Sequence, residues 1–151
     1  MTDKEIAPLI IGKLLNIGGM LQKKGNQLLL PFDLNQQQYS ILFSIDQEGK
    51  VNQKNMVNKL VLEKAHVSKV VKKLFNMGLI NIEASSEDKR SSWLSITEKG
   101  KETVRECQKR IYQWNKDWTK EIEPDQLRSL LEGLTTLQDV FKRKSVKESP
   151  E

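Results

Sequence analysis

A mainly α (α+β) fold is predicted by three features of the 151-residue sequence. Long stretches place apolar residues at i, i+3, i+4 and i+7, as helices with one buried face do. One segment, "LINIEASSEDKRSSWLSIT", shifts to the two-residue alternation of strands around a charged turn. The two short helices just before it, the second with a basic outer face, complete a helix-turn-helix with a wing.

The first helix is expected from Glu5 to about Leu30, through Ile6, Leu9, Ile10, Leu14, Ile17, Met20, Leu21 and Leu28. Gly18 and Gly19 weaken its middle by about 1 kcal/mol each against Ala, and Pro31 ends it. The second opens on Asn35 as N-cap with Gln38 three residues on, continues through Tyr39, Ile41, Leu42 and Ile45, and closes at Gly49. Asn52 caps a third helix, Gln53 to about Leu60, whose Met56, Val57 and Leu60 face inward.

The fourth helix, "EKAHVSKVVKKLFNMG", sets Val67, Val70, Val71, Leu74 and Met77 on one buried stripe and ends at Gly78. In the hairpin, Ile80 and Ile82 share one strand face, as do Leu94 and Ile96 in the return strand. Thr97 caps a fifth helix through Val104, Cys107, Ile111, Trp114, Trp118 and Ile122. Pro124 starts a sixth through Leu127, Leu130, Leu131, Leu134, Leu137, Val140 and Phe141. The charged end, "KRKSVKESPE", is expected to fray.

Composition narrows the classes. The length is that of one domain, and no apolar run approaches the roughly 20 residues of a membrane span. The start "MTDKEIAPLI" lacks a long apolar stretch and a small-residue cleavage site, so no secretory signal is expected. Cys107 is the only cysteine, which excludes an internal disulfide and a cysteine-based zinc site and points to the cytoplasm. A net charge of +5 permits a polyanionic partner, and the position of the charge must decide.

That position is the fourth helix. Turning about 100° per residue puts Ala65, Lys69, Lys72 and Asn76 opposite the apolar stripe, flanked by His66, Ser68 and Lys73, with no acid until Glu63. A helix fits the major groove of duplex DNA, and a hairpin reaches the neighbouring minor groove. Lys64 and, at the start of the third helix, Asn52 and Lys54 join the expected contacts, as do Asp88, Lys89 and Arg90 at the hairpin tip.

At "GLINIEASSEDKRSSWLSITEKG" the sequence resembles the MarR-type (multiple antibiotic resistance regulator) winged-helix regulators. Asp88 and Arg90 match the family's Asp-x-Arg in the wing, and Ile96, Thr97 and Gly100 match the Leu-Thr-x-x-Gly after it. "LNQQQYSIL" and "VSKVVKKLFNMGLI" are similar to the family's second and recognition helices. The resemblance spans Ile6 to Phe141. It implies an obligate homodimer that reads a pseudo-palindromic operator, with residues 5–31 and 98–144 as dimerisation helices and 32–97 as the winged helix-turn-helix part. It also implies that Arg90 enters the minor groove and that Asp88 holds it through a charge-assisted hydrogen bond. Ile82 and Glu83 stand where the family often carries arginines, Val61 where a glycine is common in the turn, and Glu63 where Ser or Thr caps the recognition helix.

The remaining chemistry-bearing residues have plain readings. His66 is the single histidine and no nucleophile motif accompanies it, so a polar contact on the recognition helix is favoured over catalysis or metal binding. Cys107 reads as a buried small hydrophobe, with oxidant sensing as the sharper alternative. Tyr112, Trp114 and Trp118 read as interface or core packing. The resemblance further implies a small aromatic or phenolic effector against the inner faces of helices one, two and five, with Leu14, Ile17, Tyr39 and Ile111 as its wall. No cofactor or metal is expected. A protein-interaction module without specific DNA binding is the alternative function.

Overall fold

The computed structural model describes residues 1–86 and 92–148. Nine regular elements follow one another: α1 (Asp3–Leu29), α2 (Gln36–Glu48), β1 (Lys50–Asn52), α3 (Gln53–Leu60), α4 (Lys64–Asn76), β2 (Ile80–Ala84), β3 (Ser92–Ile96), α5 (Glu98–Thr119) and α6 (Pro124–Glu148), with a 3-10 turn at Leu30–Phe32. Two compact units divide the chain, residues 1–111 and 112–151.

Local chemistry sets most boundaries of the first unit. The Thr2 backbone N–H donates to Glu5 Oε2 at 2.7 Å, which starts α1 at Asp3, two residues ahead of the expected Glu5. At α2 the reciprocal pair forms as the sequence predicts: Asn35 Oδ1 accepts from Gln38 N at 2.8 Å, and Asn35 N donates to Gln38 Oε1 at 3.0 Å. Gly49, with φ 76°, closes α2, because only a residue without Cβ takes that conformation freely. The fifth helix stops at Thr119, short of the expected Ile122.

Three strands form the sheet where two were expected. β1 lies beside β3, with Val51 opposite Leu94, and β2 pairs β3 on its other edge, with Ile80 opposite Ile96 and Ile82 opposite Leu94. Strand β1 is three residues long, too short for a periodic signal, and its pairing with β3 depends on a contact over 40 residues away. Val51, Ile80 and Leu94 are buried. Ile82 stays exposed, so the apolar face expected for β2 reduces to its first residue.

The core gathers Leu29, Leu34, Ile41, Leu42, Ile45, Met56, the α4 stripe (Val67, Val70, Val71, Leu74), Leu79, Ile80, Leu94, Val104 and Cys107. Two glycines permit close approaches within it. A Cβ on Gly25 would meet Gln36 Oε1 at 2.0 Å, where α1 reaches α2 and Asn26 Oδ1 accepts from Gln36 N at 2.8 Å. Gly100 lets the first turn of α5 settle on the carbonyl of Leu79. Thr97 fastens the same corner: its Oγ1 accepts from Gly100 N at 3.0 Å and donates to the Gly78 carbonyl at 2.7 Å.

The turn between α3 and α4 carries strain. Val61 adopts φ 54°, ψ 46°, the left-handed region that a β-branched residue disfavours, and its side chain is 88% exposed. With no packing to lose, Val61→Gly is expected to raise folding stability by about 1 kcal/mol, the strain relieved less the extra freedom of the unfolded chain. Urea unfolding of the two proteins measures the difference, and a destabilised variant would contradict the assignment of strain.

In the second unit, the Trp114 and Trp118 rings lie tilted at 54° with centroids 6.4 Å apart, and Trp118 Nε1 donates to Asn115 Oδ1 at 2.9 Å. Leu130, Leu131, Leu134 and Phe141 along α6 are exposed. No helix among the described residues is long and apolar enough to cross a membrane.

Candidate nucleic-acid interface

Helix α4 carries four lysines and no acid over thirteen residues. Its buried stripe anchors it against the core, so rotation is fixed and the opposite side must face outward. Ala65, Ser68, Lys69, Lys72 and Asn76 are exposed there, with Lys64 beside them, and His66 is half-buried on the flank. Among the described residues Lys64, Lys69 and Lys72 have no ion-pair partner, whereas three bases of α5 are paired at i, i+3, in Glu98–Lys101, Glu102–Arg105 and Glu106–Lys109. The Arg105 contact holds the Glu102 carboxyl below its ordinary range through a hydrogen bond and the guanidinium charge.

The first turn of α4 adds donors. Glu63 occupies the N-cap but makes no side-chain cap hydrogen bond. The positive end of the helix dipole thus lacks a side-chain cap from its own N-cap residue, and such an end attracts oxygen anions.

Three expected contact residues have structural duties. Lys73 is half-buried and donates to the Asp33 carbonyl at 2.8 Å and to Gln38 Oε1 at 3.0 Å. It ties α4 to the start of α2, which corrects its expected place among outward contacts: the helix flank it occupies faces a neighbouring loop that sequence spacing does not show. Asn52 caps α3 through Oδ1, accepting from Lys54 N at 3.0 Å, while Lys54 itself is exposed. Ser68 Oγ accepts from Gln53 Nε2 at 3.2 Å, which sets the spacing of α3 and α4 from their outer edge. Gln53 was missed in the sequence because its partner lies fifteen residues on, across the turn.

At the base of the wing, Glu83 pairs with Lys50 at 3.4 Å, and the same ammonium lies 5.6 Å from the centre of the Trp93 ring. The acid that departs from the family pattern is thus partly neutralised by its own chain. Asp88, Lys89 and Arg90 lie outside the described residues.

The expected effector wall divides. Tyr39 is a core residue and Ile111 packs against that core, whereas Leu14 is half-buried and Ile17 exposed outside it. Burial, then the nearby Cys107 and Asp46, push the Tyr39 hydroxyl up to about 12. Burial likewise pushes the Cys107 thiol up to about 11, with Arg110 opposing. The thiolate is the reactive form, so Cys107 has the environment of an inert core thiol. For both groups the folded state keeps its proton after the unfolded chain has released it. Their contribution is complete below the ordinary values of 9.0 and 10.0 and is lost as pH rises towards 11 and 12. Unfolding midpoints in urea are expected to fall steadily from pH 9 upwards, and a midpoint that stays level across that range would contradict the burial of these groups.

These elements define a winged helix-turn-helix protein. Residues 34–92 match the model of the MarR family. It is 27% identical over 152 residues to the uncharacterized HTH-type transcriptional regulator YhbI of Bacillus subtilis (strain 168), covering 96% of this chain and 99% of that one. Among solved structures it is similar to a Staphylococcus aureus MarR in complex with salicylate and kanamycin, with a TM-score of 0.83 and 20% identity over 96% of this chain and 95% of the other. A mutant MarR from E. coli complexed with operator DNA gives 0.76 and 21% over 88% and 95%.

Proposed function

We propose that the protein is a cytoplasmic transcription regulator, a repressor that binds a pseudo-palindromic DNA operator as a homodimer. The observation that carries this reading is the outer face of α4, where Lys64, Lys69 and Lys72 stand exposed, without ion-pair partners among the described residues, around Ala65, Ser68 and Asn76. Phosphates neutralise such charges and the groove admits such a helix.

Dimerisation is supported by apolar surface that the single chain leaves uncovered. Leu9, Ile10, Ile11, Leu15, Met20 and Leu21 on α1 are exposed, as are Leu130, Leu131, Leu134 and Phe141 on α6. Exposed apolar side chains in this number along a helix fit a partner surface. The two-fold of a homodimer then spaces the recognition helices about one helical turn, roughly 34 Å, apart. A small aromatic or phenolic effector that changes this spacing would change the affinity; the salicylate complex of the S. aureus relative supports that part. The protein acts by binding and carries out no reaction.

Sequencing the genomic fragments retained by the purified protein tests the reading. A shared pseudo-palindrome is expected, and fragments without any common sequence would overturn it. On that operator Arg90→Ala is expected to cost about 1–3 kcal/mol and to relax the preference for A·T pairs under the wing. Titrations with A·T and G·C versions of those pairs check it, and unchanged affinity on both would exclude a minor-groove role for Arg90.

A further inference from the structure

His66 is the third residue of α4 and the single histidine of the chain. Its Nε2 is shut off from solvent and has no hydrogen-bond partner among the described residues, a burial that Nδ1 does not share. We infer that His66 is held as the Nδ1–H tautomer and that this outward N–H is a specificity-determining donor to the operator.

Of the two neutral forms, one buries an N–H with nothing to accept it, and the other buries a bare nitrogen. Orphaned buried N–H groups are rarer than under-satisfied acceptors. The bare nitrogen therefore goes inside, and the proton is left on Nδ1, at the outer edge of the helix. The hydrogen bond of one ring nitrogen normally decides the tautomer; here the lack of one decides it.

The location makes the donor informative. Residues in the first turns of a recognition helix are those that meet base edges, and Ala65 and Lys69 are exposed beside His66. In the major groove guanine offers N7 and O6, adenine N7 and thymine O4 as acceptors, but cytosine offers only its N4–H₂ donors. A residue fixed as a donor rejects cytosine at the base it faces. This second half rests on the DNA-binding reading, whereas the tautomer does not.

Two measurements test the halves separately. ¹⁵N correlation spectra of the free protein, at a pH where the ring is neutral, are expected to show a pyrrole-like Nδ1 and a pyridine-like Nε2; the single histidine leaves no assignment to dispute. A protonated Nε2 overturns the inference without touching the proposed function. The second measurement takes the pseudo-palindromic duplex recovered from the genomic selection and replaces each base in turn. Wild-type protein is expected to lose about tenfold in affinity when cytosine is placed at one position of each half-site. His66→Ala should remove that penalty while leaving the salt dependence unchanged. His66→Asn should also relax it, because its amide supplies an acceptor that the fixed imidazole lacks. An equal cytosine penalty in all three proteins, or no position with one in the wild type, overturns the specificity role. Failure of every duplex to bind overturns it together with the DNA-binding reading, and the tautomer result stands apart.

Discussion

Gly100→Ala is expected to destabilise the protein by about 3 kcal/mol or more, the upper range for forcing an added methyl into a filled site. The new Cβ would lie 2.1 Å from the Leu79 carbonyl oxygen and 2.6 Å from Ile96 Cγ1. Neither neighbour can yield cheaply. The Leu79 carbonyl accepts from Thr97 N at 3.1 Å, and its amide donates to the Leu74 carbonyl at 3.0 Å, so moving it breaks bonds that join α4, β2 and α5. Urea unfolding followed by circular dichroism gives the loss directly, and a variant within 0.5 kcal/mol of wild type, the spread of an ordinary surface change, would show that the corner is not closed as described.

The second large effect falls on binding rather than on folding. Replacing Lys64, Lys69 and Lys72 together by alanine removes three charges from each protomer of the dimer, and is expected to flatten the dependence of log affinity on log salt by about 5 and to weaken operator binding on the order of 100-fold or more. The three side chains are exposed and none has a carboxylate partner among the described residues, so thermal unfolding should barely move. A lost salt slope with retained melting assigns these residues to phosphates. An unchanged slope would remove the face of α4 from the interface and with it the main support for the proposed function.

The two predictions concern different kinds of information. The lysine face was legible from spacing alone, because a helix repeats every 3.6 residues and four valines and leucines at that period fix which side is buried. Asn35 with Gln38, and Thr97 at the start of α5, were legible for the same reason, since a cap bonds to a backbone group three residues away. Gly100 was visible only as part of a motif. Its reason, a helix turn resting on the carbonyl of Leu79 just ahead of β2, twenty-one residues earlier, is a tertiary contact.

Lys73 shows how the candidate site was misjudged in part. Spacing places it at the margin of the outer face, and margins are where a neighbouring element decides whether a side chain meets water or protein. The start of α2 lies there, and Lys73 bonds to it. His66 is the same case on the same helix, with the outcome split between its two ring nitrogens.

By itself, then, the sequence determined the helices, their caps, the buried stripe of α4 and the sign of the charge opposite it, all of which depend on residues within about four positions of one another. Only the tertiary structure decided that β1 joins the sheet, that Val61 is strained, that Cys107 and Tyr39 are buried, and which margin residues of α4 face outward. Each of these depends on chain segments that meet after long excursions, and no local period encodes where they come together.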